Sequence, residues 1–310
     1  KLNFALKPKP PSGGFLIFNS MNGFIIGASG LVGSNCLKHF AEQGWNVKGS
    51  YFSYPTDHCV FFNTLDLNHP DNFDLLNWKP DIIIHCGALT HVDYCEQHPE
   101  ESYEKTVQST LNIIAIAKAS NAKLVYLSTD YIYDGLKGPY QEDAAINPIS
   151  IYGKHKLLAE ESVLQYENAL VIRITNVYGD EERGKNFIAR IIQQCKEGQH
   201  LTLKLPIDQY ATPTNAMDIA KAMFLLLKDQ HKGVFNIGST DYMNRVALAL
   251  RVLKYFPNAS YDLIPLSTAA LQQAAARPLL GGFISTKFHQ LYPEFLFSTV
   301  DDYMQKQIID

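Results

Sequence analysis

The sequence has no cysteine pairing of the kind that builds a disulfide framework or a zinc site. Its five cysteines are an odd number and lack C-x-x-C spacing: Cys36, Cys59, Cys86, Cys95 and Cys195. Disulfide-rich secreted domains and structural zinc sites depend on such spacing. We therefore predict reduced thiols, no metal ion and a cytoplasmic protein.

Long apolar runs and blocks of like charge are also missing. No run approaches the ~18 apolar residues that a membrane span requires, and the start of the chain lacks the apolar stretch of a signal peptide. The 27 basic and 31 acidic residues, with a net charge of -4, are scattered along the chain. Since a nucleic-acid-binding protein shows a basic patch, we expect neither a membrane nor a nucleic-acid partner. A small-molecule substrate is favoured.

The first twenty residues differ from the rest of the chain. They are rich in proline, lysine and glycine and precede Met21, after which the regular pattern of apolar runs begins. We expect residues 1–20 to be an upstream extension or a cloning remnant, the alternative being a docking arm.

From Gly23 onward, short apolar runs alternate with amphipathic stretches. The run 82–86 (IIIHC) follows Asp81 and is almost wholly apolar, as expected for a strand covered on both faces. Such alternation predicts an α/β fold, a doubly wound parallel Rossmann sheet. The spacing loosens beyond Gly179, which predicts a smaller C-terminal α+β substrate lobe. We expect the dinucleotide-binding domain over residues 21–178 and the lobe over 179–310, with about 207–238 returning to the first domain.

A glycine-rich loop follows the first predicted strand. Gly27, Gly30 and Gly33 stand where this strand gives way to the first helix, the context of a dinucleotide fingerprint. Glycines permit a tight turn and close backbone approach, so the N–H groups near residues 29–32 can hold a pyrophosphate. A purely structural turn is the alternative.

The second predicted strand lacks the usual ribose-reading residue at its end. Residues 48–54 (KGSYFSY) contain neither an acid for a 2′-hydroxyl nor an arginine for a 2′-phosphate. Because an acid would repel the phosphate, its absence favours NADP(H) over NAD(H). Lys48 and Ser53 are candidate partners of the phosphate.

Tyr152 and Lys156 are separated by four residues, about one helical turn, and so share one helix face. A neighbouring ammonium favours the phenolate and should lower the pKa of the tyrosine. The pair follows a predicted strand that ends in Ser128, Thr129 and Asp130. This arrangement predicts a proton-transfer site.

With these motifs the chain resembles the extended short-chain dehydrogenase/reductase family. Within it, the chain is similar to the dTDP-4-dehydrorhamnose reductases and to the related regulatory β subunit of methionine adenosyltransferase. The segments that carry the resemblance are 85–100 (HCGALTHVDYCEQHPE), 127–135 (LSTDYIYDG), 138–140 (GPY), 147–160 (NPISIYGKHKLLAE), 171–179 (VIRITNVYG), 208–214 (DQYATPT) and 277–278 (RP).

The resemblance implies a reductase that delivers a hydride from NAD(P)H to a keto group of a nucleotide sugar. Tyr152 would be the proton donor, Lys156 would hold the nicotinamide ribose, and Thr129 would bond the carbonyl. The implied cofactor contacts are Gly27, Ser29, Gly30, Leu31, Val32, Gly33, Tyr51, Asp66, Leu67, Cys86, Gly87, Ala88, Tyr152 and Lys156, with Asp66 and Leu67 expected at the end of the third strand. The implied substrate contacts are Thr90, Asp130, Tyr131, Asn176 and Arg277.

The chain departs from the family at two places. Thr106 stands where an Asn is common, and Leu280 and Gly281 replace the Asn-Ser of the family's Arg-Pro-x-Asn-Ser. Arg277 remains as a clamp for a phosphate or carboxylate, unless it is a surface residue. The resemblance also allows a homodimer.

Other readings stay open. His91 and Asp93 could form a second acid-base pair, although substrate positioning or surface use is favoured. A cofactor-binding regulatory subunit is the alternative to an enzyme. An epimerase or dehydratase is the alternative within enzymes, but a dehydratase would carry an acid pair after the threonine, where Asp130 is followed by Tyr131.

Overall fold

The computed structural model of the protein describes residues 21–309, so the predicted extension over residues 1–20 lies outside the described residues. The strands are β1 (Asn22–Ile26), β2 (Asn46–Tyr51), β3 (Cys59–Phe61), β4 (Ile82–His85), β5 (Lys123–Thr129), β6 (Ala169–Ile174), β7 (Val177–Tyr178), β8 (Leu201–Pro206), β9 (Tyr210–Ala211), β10 (Thr214–Asn215), β11 (Gly233–Asn236), β12 (Met243–Asn244) and β13 (Tyr261–Leu266).

The helices lie between and after these strands. They are α1 (Leu31–Glu42), α2 (Leu75–Trp78), α3 (Val92–Gln97), α4 (Pro99–Tyr103), α5 (Ser109–Ser120), α6 (Ile151–Leu164), α7 (Phe187–Lys196), α8 (Ala216–Lys228), α9 (Arg245–Leu253), α10 (Thr268–Leu271), α11 (Thr286–Leu291) and α12 (Val300–Ile309), with a π-helix over Glu104–Gln108 and a 3-10 helix over Asp130–Ile132. Over residues 21–309, none of these helices combines the length and the apolar character needed to cross a membrane.

Seven strands form one parallel sheet in the order β11, β6, β5, β4, β1, β2, β3. Successive side chains of its strands alternate between two buried layers. Val125 packs with α1 and α8 on one face, whereas Tyr126 packs with α5 and α6 on the other. Both faces are therefore covered by helices, and the predicted doubly wound α/β fold is confirmed.

The order in which successive strands are added to this sheet reverses between β1 and β4. β1 is flanked by β2 on one side and β4 on the other, which leaves a crevice beyond the carboxyl ends of β1 and β4. In open α/β sheets, ligands bind at such a switch point.

A second hydrophobic core lies outside the central sheet. β8 pairs with β13 in parallel, and Ile191 of α7, Val252 of α9 and Met304 of α12 pack together beside them. The intervening chain joins the central sheet, since β11 pairs with β6 and Phe224 of α8 meets Phe40 of α1 at 5.5 Å between ring centroids.

Candidate active site

The glycine loop forms a tight cradle between β1 and α1. A β-carbon built on Gly33 would lie 2.5 Å from the carbonyl oxygen of Gly27, so only glycine permits this approach of helix and loop. Gly27 has a φ of +76°, in the left-handed region. At Gly30, α1 begins with no side-chain cap and no acid in its first turn. The first backbone N–H groups of α1 are therefore available to an anion, and the loop fits a pyrophosphate.

The residues expected around this cradle are placed as follows. Ser29, Leu31 and Val32 are half-buried at the start of α1. Cys86, Gly87 and Ala88 follow β4, where a β-carbon on Gly27 would lie 3.1 Å from the Gly87 nitrogen. The two loops thus touch at the switch point, as a site shared by them requires.

Three other expected cofactor contacts, Tyr51, Asp66 and Leu67, lie at the end of β2 or after β3, at one edge of the sheet. Tyr51 ends β2 and packs against Phe61 at 5.8 Å between ring centroids. The expectation that Asp66 and Leu67 end the third strand is wrong, because β3 stops at Phe61. Asp66 is exposed and its carboxylate accepts from the Asn68 nitrogen at 3.2 Å, within a loop of its own.

Thr129, Tyr152 and Lys156 come together at the carboxyl end of β5. Thr129 is the last residue of that strand, and Tyr152 and Lys156 lie on the first turns of α6. The Thr129 side chain acts on the Tyr152 phenol, whose pKa it lowers, and Lys156 Nζ donates to the Leu127 carbonyl oxygen at 2.5 Å. All three side chains are buried. The structure therefore assembles the predicted proton-transfer set.

Local sequence explains how α6 reaches this position. Ser150 caps the helix by accepting a hydrogen bond from the Gly153 nitrogen at 3.2 Å. A β-carbon on Gly153 would lie 2.1 Å from the Tyr131 carbonyl oxygen. Gly153 therefore lets the start of α6 press against the turn that follows β5.

The pKa of Tyr152 is raised, so the predicted lowering is wrong. Burial is the largest cause; the hydrogen bond from Thr129 opposes it, and Tyr131 adds to it. Lys156 does not compensate, because its ammonium bonds Leu127 and lies 4.1 Å from the centroid of the Tyr126 ring. Burial also lowers the pKa of Lys156 to about 7. Tyr152 is therefore held as a protonated phenol.

Arg277 closes one side of the site. Its side chain is only 8% exposed, and its Nη2 lies 2.8 Å from Asp93 Oδ2. Its guanidinium carbon lies 5.9 Å from the centroid of the Tyr131 ring, and that ring meets Tyr152 edge to face at 5.4 Å. The alternative of a surface arginine is therefore wrong. Arg277 Nη1 is buried and has no hydrogen-bond partner among residues 21–309.

Asp130 is engaged within the protein. Its Oδ2 accepts from the Thr175 hydroxyl at 2.7 Å and from the Gly282 nitrogen at 3.0 Å. Burial raises its pKa, and these hydrogen bonds oppose that shift. The carboxylate thus ties the ends of β5 and β6 to the chain around Gly282, and its substrate role stays a prediction.

The remaining expected substrate contacts are dispersed. Asn176, with a φ of +42°, accepts a hydrogen bond from Arg245 Nη2 at the start of α9. Thr90 is exposed. His91 caps α3 by accepting from the Tyr94 nitrogen at 3.0 Å. Since Asp93 pairs with Arg277, the structure does not bring His91 and Asp93 together as an acid-base pair.

Several buried polar side chains lack a partner in this region, and two of them, Tyr126 and His85, lie near Lys156. His85 Nδ1 and Nε2, Tyr126 Oη, Ser128 Oγ and Thr106 Oγ1 are buried and lack a hydrogen-bond partner within the part of the chain that the structure describes. Burial lowers the pKa of His85 to about 3, and the charge of Lys156 acts in the same direction. Thr106, the departure from the family's Asn, lies in the π-helix.

Two arginines near the site had no signal in the sequence. Arg245 reaches Asn176 from α9, and Arg183 lies over the ring of Tyr54 with its guanidinium carbon 5.1 Å from the ring centroid. Both arginines belong to the second half of the chain, whereas Tyr54 follows β2 and Asn176 follows β6 of the central sheet. Only the tertiary fold brings each arginine to its partner.

Similarity to known proteins agrees with this geometry. Residues 21–294 match the protein family described as the RmlD substrate binding domain. The chain belongs to this family. The family resemblance found in the motifs is thereby confirmed.

Relatives of both kinds expected from the resemblance are found. The methionine adenosyltransferase 2 subunit beta of Xenopus laevis is 31% identical over 254 residues, which cover 80% of this chain and 76% of that protein. The probable low-salt glycan biosynthesis reductase Agl14 of Haloferax volcanii is 30% identical over 266 residues, covering 83% of this chain and 88% of that protein.

A solved structure shares the fold. The dTDP-4-dehydrorhamnose reductase of Bacillus anthracis, in complex with NADP, superposes with a TM-score of 0.78 at 24% identity, covering 94% of this chain and 99% of that one. Among residues 21–309 there is no group of three or more His, Cys, Asp or Glu side chains that could hold a metal ion.

Proposed function

We propose that this protein is an NAD(P)-dependent reductase that acts on a keto group of a nucleotide sugar, with Tyr152 as the proton donor. The observation that carries the proposal is the meeting of Thr129, Tyr152 and Lys156 at the carboxyl end of β5. This end of the sheet also carries the glycine cradle. The family of the chain and its Agl14 relative support the same class of reaction.

The protonation state of Tyr152 suits reduction. A carbonyl that accepts a hydride must also gain a proton, so the donor has to enter the reaction protonated. The Tyr152 phenol is protonated at neutral pH, as a tyrosine ordinarily is, and the rise that burial causes in its pKa does not change this. The Thr129 hydroxyl, which touches the same phenol, would donate to the substrate oxygen as negative charge develops on it.

The cradle fits a dinucleotide. Gly27 and Gly33 would accommodate the pyrophosphate. Lys156 donates one hydrogen bond to the Leu127 carbonyl oxygen, and its other N–H groups would bind the nicotinamide ribose. A bound reduced nicotinamide would supply the hydride. We place NADP(H) ahead of NAD(H), because residues 48–54, at the end of β2, contain no acid that would repel a 2′-phosphate.

Arg277 is the proposed contact for the anionic part of the substrate. Its Nη2 is paired with Asp93, while its buried Nη1 has no partner among residues 21–309 and so retains a donor. A phosphate oxygen of a nucleotide sugar can accept a hydrogen bond from this Nη1 group. Tyr131 would line the space between this arginine and Tyr152.

The test is Tyr152→Phe. We expect turnover of 4-keto sugar nucleotides with NADPH to fall by about 10²–10⁴ while calorimetric binding of NADPH is retained. Tyr103→Phe, on an exposed position of α4, is the matched control and should leave turnover unchanged. An unchanged rate in Tyr152→Phe would sink the assignment.

A second candidate is a cofactor-binding regulatory subunit. It is favoured by the 31% identity to a methionine adenosyltransferase subunit beta and by the closure of Tyr152 beneath Tyr131 and Arg277. Size-exclusion chromatography of the protein mixed with a purified methionine adenosyltransferase catalytic subunit would test it. A stoichiometric complex that survives Tyr152→Phe, together with no keto-sugar turnover, would favour this candidate over the reductase.

A further inference from the structure

The residues that directly follow β2, where a 2′-phosphate would lie, include no lysine or arginine. In NADP-binding folds this phosphate lies beyond the end of the second strand, beside an arginine that follows it. Here residues 52–54 (FSY) follow β2 and carry no positive charge. Lys48 was a candidate, but its Nζ lies over the Phe73 ring at 5.1 Å.

A loop from the second half of the chain reaches this edge. Residues 180–185 (DEERGK) connect β7 to α7. The Asp180 carbonyl oxygen accepts from Asn35 Nδ2 of α1 at 2.9 Å, and the Asp180 carboxylate accepts from the Tyr303 hydroxyl at 2.8 Å. The first contact fixes the start of the loop against α1, the helix that opens on the glycine cradle, and the second ties it to α12.

The two acids next to Asp180 do not pair with Arg183. Glu181 Oε1 accepts hydrogen bonds from the backbone nitrogen of Asn186 at 2.6 Å and from its Nδ2 at 3.0 Å. These bonds stabilise the loop and engage the Glu181 carboxylate. Glu182 is exposed and acts electrostatically on Cys59 at the start of β3. The negative charge of Glu182 disfavours binding of an anion at this edge. The attraction between Arg183 and the anion therefore has to exceed that repulsion.

Arg183 is half-buried and lies over an aromatic ring. Its guanidinium carbon lies 5.1 Å from the centroid of the Tyr54 ring, just beyond the end of β2. Its Nε is buried and has no hydrogen-bond partner in the part of the chain that the structure describes. A planar cation stacked on a ring, with donors to spare, is suited to bidentate binding of a phosphate.

We propose that Arg183, stacked on Tyr54, binds the 2′-phosphate of NADP(H) and so supplies from a distant loop the cation that residues 52–54, just after β2, do not provide. The exposed Ser53 hydroxyl beside Tyr54 is a second donor. This proposal rests on the proposed cofactor binding and adds to it the residue that discriminates between the two dinucleotides.

The experiment is calorimetric titration of the purified full chain with NADP⁺, NAD⁺ and adenosine 2′-phosphate. Arg183→Ala should weaken NADP⁺ and adenosine 2′-phosphate by about tenfold or more and leave NAD⁺ within about twofold. Arg183→Lys keeps the charge without the planar fork and should recover part of the loss. Lys185→Ala, an exposed cation of the same loop, is the matched control and should change all three ligands little.

The outcomes separate this proposal from the proposed function. Equal losses for NADP⁺ and NAD⁺ in Arg183→Ala would mean that the arginine packs on adenine, and no loss would remove it from the site; either result overturns the proposal while cofactor binding stands. A wild-type chain that binds neither dinucleotide overturns both. Thermal unfolding of each variant shows whether a loss of binding results from misfolding. Tyr54→Leu removes the ring beneath Arg183 and tests the same contact by a second substitution.

Discussion

Asp130 and Gly281 are in direct contact across the site, since Asp130 Oδ2 would lie 2.5 Å from a β-carbon built on Gly281. The same oxygen accepts from the Gly282 nitrogen at 3.0 Å. The backbone at Gly281 and Gly282 therefore packs directly against the buried Asp130 carboxylate. This accounts physically for one departure from the family, because the serine common at this position would displace either the backbone around Gly281 or the Asp130 side chain.

Gly281→Ala should destabilise the protein by about 1–3 kcal/mol, because the added methyl group overpacks against Asp130. Asp130→Ala in the same chain should relieve much of that clash, so the two substitutions should be non-additive. Denaturant unfolding of the two single variants and the double variant measures the coupling. Leu279→Ala, a partly exposed neighbour, is the control, and strictly additive free energies would contradict the contact.

Arg277→Met should raise the KM for a nucleotide sugar more than it lowers kcat, because Arg277 is proposed to hold the anionic part of the substrate. Asp93→Asn leaves Arg277 in place but removes its charge partner, and should cost about 2 kcal/mol of stability because the arginine is buried. Steady-state kinetics and denaturant unfolding test the two effects. Arg251→Met, which breaks a more exposed ion pair with Asp241, should leave KM unchanged; a fall confined to kcat in Arg277→Met would refute the role.

His85→Leu should make the protein less sensitive to acid. The folded pKa of His85 is about 3 against an ordinary 6.5, so the unfolded chain binds the proton first and stability falls as the pH drops from 6.5 to 3. At about 1.4 kcal/mol per pH unit, the full effect is about 5 kcal/mol. Urea unfolding at a series of pH values checks this. The wild type and His85→Leu should diverge below pH 6.5, and parallel curves would contradict it; His200→Leu, at an exposed position, is the control.

Glu160→Leu should destabilise strongly, because it leaves Arg173 buried without its partner. The pair lies at 2.5 Å with side chains 1% and 3% exposed, and breaking such a pair costs about 3–5 kcal/mol. Glu160→Leu with Arg173→Met should recover most of that loss in chemical denaturation. Glu101→Ala breaks the exposed pair with Lys105 and should cost under about 1 kcal/mol. Failure of the double variant to recover would indicate that other partners of Arg173, such as Tyr133, dominate.

Much of the fold could be predicted because its signals are local. The apolar run 82–86 and the glycines at 27, 30 and 33 each report on a single strand or turn, and the structure places them in β4 and at the start of α1. Tyr152 and Lys156 could be paired for the same reason, since one helical turn fixes their relation. Expectations for the ends of elements were weaker, as the early stop of β3 at Phe61 illustrates.

The rest depended on residues far apart in the chain. Asp93 and Arg277 are separated by 184 positions, and Arg183 meets Tyr54 through a loop whose course the sequence pattern does not indicate. The direction of the Tyr152 pKa shift failed for a related reason. Proximity to Lys156 could be read from spacing, but burial, which outweighs it, results from the packing of Tyr131 and its neighbours above the ring.

The place of β11 in the central sheet has a consequence for how the protein can be divided. β6 is covered along one edge by β11, whose residues 233–236 come after α7 and α8 in the chain. A fragment ending near residue 178 would leave the apolar strand β6 with an open edge and would strip α8 from α1, exposing a template for intermolecular strand pairing. Residues 21–178 can therefore not be excised as a self-sufficient module, and a shortened version has to join β11 and α8 back onto β6.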